Sequence, residues 1–504
     1  MIFGKKIKRI LPINELRISD KNVKSKSVKG GLELIIGQIV SFLLLIISTM
    51  ILARILSPED YGIIGIVTAI TGFFTLFKEF GLTISIIKKK ILTNLELITV
   101  FWLYVIVGTV LMILMMIMSV PIAKFYDDSR LIDVTIIISL TFLIGSFSIV
   151  PSALLKRTMQ FRKLIYSQLI ASFFGAIMTI ISAYIGLGYW SLVINILVTT
   201  FINSLLVIWS FGWFPKIKLY INSIKNHLEV GKNITLFDLV NYFARNLDNL
   251  IIGKYYGSSM LGLYSKAYQL LLLPIQKIRT PIYSVALPAL ASLREKPKEY
   301  NAYYLQLVSI LNIISLLLIC FLWLNSYEII YFVLGEKWLL SAEFFSVLAF
   351  AALIQPVYGT LGLVLITLGK SRKYLHWGIL NFMIIAIGFI VGINFDLKTF
   401  ILIYVIANYI SFLISVPFVF HDTPINIVNF LKNIFVPFTY IFGGAYIIQK
   451  NIDILKFSMG ENFVVKTSLF LAMTFFIFIF SAKHRNNLAK IREILKPKKE
   501  KHVH

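Results

Sequence analysis

Long apolar stretches, interrupted by short polar connections, recur along the chain from Leu32 to Ser481. A helix of about 20 apolar residues spans the ~30 Å hydrocarbon layer of a bilayer. The pattern predicts about fourteen such helices, with boundaries uncertain by ~2–4 residues. They fall near 32–55, 61–87, 95–120, 131–153, 164–186, 188–211, 232–253, 262–291, 303–325, 341–368, 375–393, 398–420, 431–449 and 462–481. The fifth and sixth are divided only by Gly186, Leu187 and Gly188, a tight-turn signal. The eighth is unusually long and polar. No large soluble domain fits between these segments, so the fold class is an all-α polytopic membrane protein.

Composition agrees: 58% of the 504 residues are hydrophobic and only 14% are charged. The net charge of +25 raises the question of nucleic-acid binding, but the distribution of that charge excludes it as the reading. With the N-terminus inside, roughly 34 basic residues fall in cytoplasmic loops and tails and roughly 8 outside, as the positive-inside rule requires. Lys88–Lys90, Lys156, Arg157, Lys370, Arg372 and Lys373 are among the inner ones. The lone Cys320 and six scattered histidines offer neither an intrachain disulfide nor a metal site. Residues 1–31 form a basic arm, too long and polar for a cleavable signal. Both termini are expected in the cytoplasm.

An internal repeat at an offset of about 200 residues is visible. Gly31 opens the first span and Gly231 the seventh. The first outer turn runs from Arg54 to Gly62 and its counterpart from Lys254 to Gly262, each with a basic residue followed eight positions later by glycine. Gln38, Ser41 and Ser48 correspond to Asp238, Asn241 and Asp248. Six spans per unit keep both units in the same orientation, implying two six-helix bundles related by an axis along the membrane normal. The expected organisation is an arm (1–31), bundles at 32–213 and 214–420, two further helices at 421–481 and a basic tail at 482–504.

Polar residues inside the spans mark where chemistry could sit. Asp238, Asn241, Arg245 and Asp248 share one face of span seven at i, i+3, i+7 and i+10. A charged group facing lipid at the bilayer centre costs ~2.5–3.5 kcal/mol on insertion scales, so this stripe must face protein or water. Arg245 and Asp248 could simply neutralise each other. Span eight carries Lys266, Gln269, Gln276, Lys277, Arg279 and Tyr283, with no acidic residue between Gly262 and Arg294. Cations without local carboxylates suit an anion such as a diphosphate, held by an Arg fork and a Lys point charge. The competing reading pairs Lys277 and Arg279 with acids on other spans, such as Asp238 or Glu343. Pro274, Pro281 and Pro288 recur every seven residues, which would bend this helix or open it.

Lys78 and Glu79 close span two, where such a pair ordinarily snorkels to the interface, with a gate or cavity role as the alternative. Arg54 and Asp60 flank a structural turn, Trp190, Trp213 and Trp338 read as interfacial belt residues, and Asp127-Asp128 as a solvated turn. No phosphate-binding glycine loop, zinc-protease helix or serine-hydrolase elbow occurs, so no catalytic residue, metal or cofactor is expected.

Six segments together resemble the polysaccharide and O-antigen flippase family of the multidrug/oligosaccharidyl-lipid/polysaccharide exporter superfamily. They are Lys29-Gly-Gly-Leu-Glu-Leu-Ile-Ile-Gly-Gln38, Leu52-Ala-Arg-Ile-Leu-Ser-Pro-Glu-Asp-Tyr-Gly62, Lys78-Glu-Phe-Gly-Leu82, Arg245-Asn-Leu-Asp-Asn-Leu-Ile-Ile-Gly253, Gly262-Leu-Tyr-Ser-Lys-Ala267 and Leu287-Pro-Ala-Leu290. Order and spacing carry the likeness, from about Lys26 to Gly378, and the subgroup is similar to colanic-acid and lipopolysaccharide exporters. The resemblance implies a central cavity, undecaprenyl-diphosphate-linked oligosaccharide as substrate, and alternating access in a bacterial cytoplasmic membrane. It places Arg245 and Asp248 in a family motif without giving their role, and Glu79 stands where relatives often have Asp. Lys266, Gln269, Gln276, Lys277, Arg279, Asn241 and Arg245 are the expected substrate contacts. Asp238 and Asp248 are candidates for binding a coupling H+ or Na+, and other polysaccharide-assembly proteins are possible partners. A cation-coupled drug exporter and a membrane-embedded glycosyltransferase or polymerase are the rival functions.

Overall fold

The computed structural model describes residues 23–79, 86, 93–213, 215, 242–243, 246–455 and 458–480; of these, the side chains of 23–35, 79, 453–455 and 477–480 are not described. The described residues are helical, with no strand among them. Eleven helices among them are long and apolar enough to cross a membrane. The seventh expected span lies largely outside the described residues. The eighth and fourteenth are helical, but the eleven do not include them.

The chain parts into two compact units, one of residues 1–265 with 333–337, the other of 266–332 with 338–504. In the first unit the helices are α1 (Val23–Ile55), α2 (Pro58–Glu79), α3 (Asn94–Tyr126), α4 (Arg130–Arg157), α5 (Phe161–Tyr184), α6 (Trp190–Phe211) and α7 (246–255). Helix α8 (Gly257–Ser292) begins in the first unit and continues in the second. The second unit adds α9 (Pro297–Leu324), α10 (Ser326–Leu334), α11 (Leu339–Tyr358), α12 (Thr360–Thr367), α13 (Ser371–Gly392), α14 (Leu397–Phe420), α15 (Ile427–Leu455) and α16 (Met459–Phe480). The first helix therefore starts at Val23, within the basic stretch.

Local chemistry explains where the helices begin and turn. Pro58 opens α2 behind Ser57, whose N–H and hydroxyl donate to Asp60 Oδ2 at 2.8 and 2.7 Å while its Oγ accepts from the Asp60 N–H. Thr93 and Glu96 form the same reciprocal box at the start of α3. Between α5 and α6, Gly186 and Gly188 take φ of +89° and +52°, supplying the left-handed conformations the tight turn needs.

In lipid, every buried polar group must find an internal partner. In the first unit, an apolar cluster around Leu97, Phe101, Tyr104, Val150 and Leu154 takes in Ile86 and Trp213. The buried Arg157 donates to the Ile86 carbonyl at 2.7 Å, tying Ile86 to the end of α4. In the second unit, Tyr300 and Tyr304 of α9 bond to Thr367 and Thr360 of α12 at 2.6 and 2.8 Å, inside a cluster with Phe412, Phe420 and Phe430. Trp213 and Trp338 are both buried, so they are core residues and not part of an interfacial belt. Helix α16 is docked by an ion pair, Lys466 to Glu328 at 2.9 Å, with side chains only 7% and 3% exposed.

Candidate functional site

Helix α8 remains a single 36-residue helix through all three prolines, so they do not open it. Each proline lacks the N–H that would bond four residues back, which releases the carbonyls of Leu270, Lys277 and Ser284. In the second unit, the side chains of Gln269, Gln276 and Lys277 are exposed, while those of Lys266, Arg279 and Tyr283 are half-buried. Lys266 Nζ donates to Gln269 Oε1 at 3.1 Å. The Arg279 guanidinium lies 5.5 Å from the centre of the Tyr283 ring, and Tyr283 Oη donates to the Pro356 carbonyl at 3.2 Å. Gly359 gives this pair room, because a Cβ there would approach Tyr283 Oη to 2.7 Å.

No carboxylate among the described residues pairs with Lys277 or Arg279. Glu343, one of their expected competitors, is bound to Lys398 at 2.9 Å. The other, Asp238, lies outside the described residues, as do Asn241 and Arg245. Next to α8, Tyr268 and Tyr404 meet hydroxyl to hydroxyl at 3.2 Å, and Gln355 donates to both at 3.4 Å. Sequence reasoning missed this cluster, although Gln355 is the one amide in the apolar run from Phe344 to Val357.

In the first unit, Asp248 is buried, and it is held by Tyr264 Oη at 2.7 Å and by the Asn249 N–H at 2.8 Å. Tyr264 is a second residue that sequence reasoning missed. Lys78 does not snorkel. It is buried, with its ammonium beside Gly145 in the middle of α4, where a Cβ would come within 2.7 Å. The Glu79 side chain is not described.

At one end of this unit the two repeat turns cross. A Cβ on Gly62 would overlap the Ser258 carbonyl, and a Cβ on Gly262 would overlap the Pro58 carbonyl. Residue 58 is to 258 as 62 is to 262, so the contact is reciprocal about the predicted repeat, as at a two-fold axis. The Asp127-Asp128 turn is an ion-paired one. Lys254 reaches Asp127 at 2.8 Å, and Arg130 binds both Asp128, at 2.8 Å, and Glu59, at 2.6 Å.

Comparison with known proteins fits this arrangement. The chain is 24% identical over 357 residues to the lipopolysaccharide biosynthesis protein WzxC of Escherichia coli K12, covering 70% of this chain and 71% of that one. It is also 24% identical over 426 residues to the teichuronic acid biosynthesis protein TuaB of Bacillus subtilis, covering 80% and 83%. Its fold is similar to the lipid II flippase MurJ in an inward closed conformation, with TM-score 0.69, 13% identity and coverage of 90% and 99%. A multidrug resistance MATE family transporter in an inward-facing conformation follows at TM-score 0.59 and 16% identity, covering 78% and 96%. Residues 51–343, more than half of the chain, match the family described as "polysaccharide biosynthesis protein". The chain belongs to the polysaccharide biosynthesis protein family.

Proposed function

We propose that this protein flips undecaprenyl-diphosphate-linked oligosaccharides across the bacterial cytoplasmic membrane, as a transporter and not a transferase. The observation that carries the reading is the pair Lys277 and Arg279, cations in the middle of α8, which we read as lying within the membrane, that no described carboxylate neutralises. A charge kept there at a cost of ~2.5–3.5 kcal/mol is explained by an anionic ligand. The Lys277 ammonium and the Arg279 fork would bind the diphosphate, and the Tyr283 ring would hold the guanidinium in place. Gln269, Gln276 and the Tyr268–Gln355–Tyr404 cluster supply hydroxyl and amide groups suited to a glycan. Release to the outside requires the Gly62–Gly262 crossing to part, which is the outer half of an alternating-access cycle. The buried carboxylate of Asp248, together with Asp238, is the candidate carrier of a coupling H+ or Na+.

The test is translocation of a fluorescent lipid-linked oligosaccharide in proteoliposomes carrying equal amounts of protein. Lys277→Ala combined with Arg279→Ala is expected to slow it by at least about tenfold, the equivalent of ~1.4 kcal/mol of lost binding. Unchanged translocation would overturn the anion site.

A further inference from the structure

Phe73, Phe74 and Phe77 of α2 face Ile106, Val110 and Leu114 of α3 across a wholly apolar groove of about 380 Å³. The α3 residues sit at i, i+4 and i+8, so they form a stripe along one helix face, about 12 Å long at 1.5 Å per residue. Val110 is 56% exposed and Ile106 44%, so the groove opens away from the core of the unit, toward the surrounding hydrocarbon. Water has no polar partner in such a space, and a hydrocarbon chain gains dispersion contacts there.

Two neighbouring features indicate whose chain it holds. Phe73 also packs edgewise on Phe77 at 5.2 Å and against Phe243 at 5.3 Å, while Tyr242 donates to the Ala69 carbonyl. The groove therefore adjoins the seam where the second repeat's first helix meets α2. Lys78 lies four residues beyond Phe74, and its ammonium is turned inward beside Gly145. Within one turn of α2 an apolar groove is thus followed by a cation turned toward α4, complementary to an amphiphile with an anionic head and a long apolar tail. We propose that the polyprenyl chain of the lipid carrier lies in the α2–α3 groove, with its anionic head entering past Lys78. This inference rests on the flippase reading for the identity of the amphiphile.

The test uses full-length protein in proteoliposomes and a polyprenyl diphosphate bearing a photoreactive group on the isoprene units nearest the head. Crosslinks are expected within 73–77 and 106–114. Excess unlabelled polyprenyl diphosphate should compete them away, whereas phosphatidylglycerol should not. Val110→Trp and Leu114→Trp fill the groove and should each cut that labelling and long-chain translocation about tenfold. Val436→Trp, at another exposed apolar position, should change neither. Lys277→Ala with Arg279→Ala should leave groove labelling in place, so a failed head-group site is distinguishable from a failed groove. Competition by ordinary phospholipid would identify an annular lipid and overturn the proposal, as would full labelling and translocation in both correctly inserted tryptophan variants.

Discussion

At the scale of single residues, burial divides the charges into those that hold the fold together and those available to a ligand. Glu328 and Lys466 are held by each other in the core of the second unit, 2.9 Å apart. Removing one member of such a pair strands the other charge, at a cost of ~3–5 kcal/mol, while removing both is far milder. Lys466→Met is therefore expected to lower the unfolding temperature in detergent markedly, and Glu328→Gln added to it should restore much of the loss. Asp128, outside the spans, is held below the usual carboxylate range by the hydrogen bonds and charge of Arg130. A carboxyl depressed in the folded state adds stability that is present above its unfolded pKa of ~3.9 and is lost as pH falls through the folded value. Asp128→Asn should thus destabilise the protein at neutral pH and make the difference from the parent protein shrink in acid, measured as unfolding temperature against pH. The want of an acid near Lys277 and Arg279 along their own helix was legible in the sequence between Gly262 and Arg294. The burial of Lys78 was not, because snorkelling and inward pointing differ only in which way a flexible side chain turns.

Among the helices, α8 and the Gly62–Gly262 crossing matter most. The three prolines spaced by seven residues were expected to bend the helix or open it, and α8 is continuous. A proline removes one hydrogen bond, and the remaining ladder with side-chain back-bonding keeps the helix, as Ser284 Oγ donates to the Pro281 carbonyl at 2.7 Å. The Gly62–Gly262 crossing depends on backbone approaching backbone, so no rotamer change relieves an added methyl. Gly62→Ala and Gly262→Ala are each expected to loosen this crossing. A cysteine placed at Ser258 should then react faster with a membrane-impermeant maleimide added outside. The buried Cys320 keeps the background of that measurement low. Unchanged reactivity in both variants would mean that the crossing is not what limits access from outside.

For the whole molecule, the bilayer is the controlling solvent. Its thickness sets helix length, and its lack of water forces every polar backbone group into a helix. If the basic residues set the topology, a fluorescent reporter fused at His504 is expected to mature in the cytoplasm, and a silent fusion from protein that is correctly inserted would reverse the assignment of the tail. These one-dimensional constraints are why the sequence by itself determined a helical, multi-span chain, the tight turn at Gly186–Gly188, and the glycine correspondence between residues 62 and 262. Hydropathy, capping residues and spacing act locally, over one or two turns, and so can be read in order along the chain. Which side chains meet was decided only by tertiary packing. Tyr264 finding Asp248, Lys398 claiming Glu343, Gln355 lying between Tyr268 and Tyr404, and Trp213 and Trp338 withdrawing into the core all join groups on different helices. Helix rotation and side-chain direction select such partners, and neither leaves a periodic trace in the sequence.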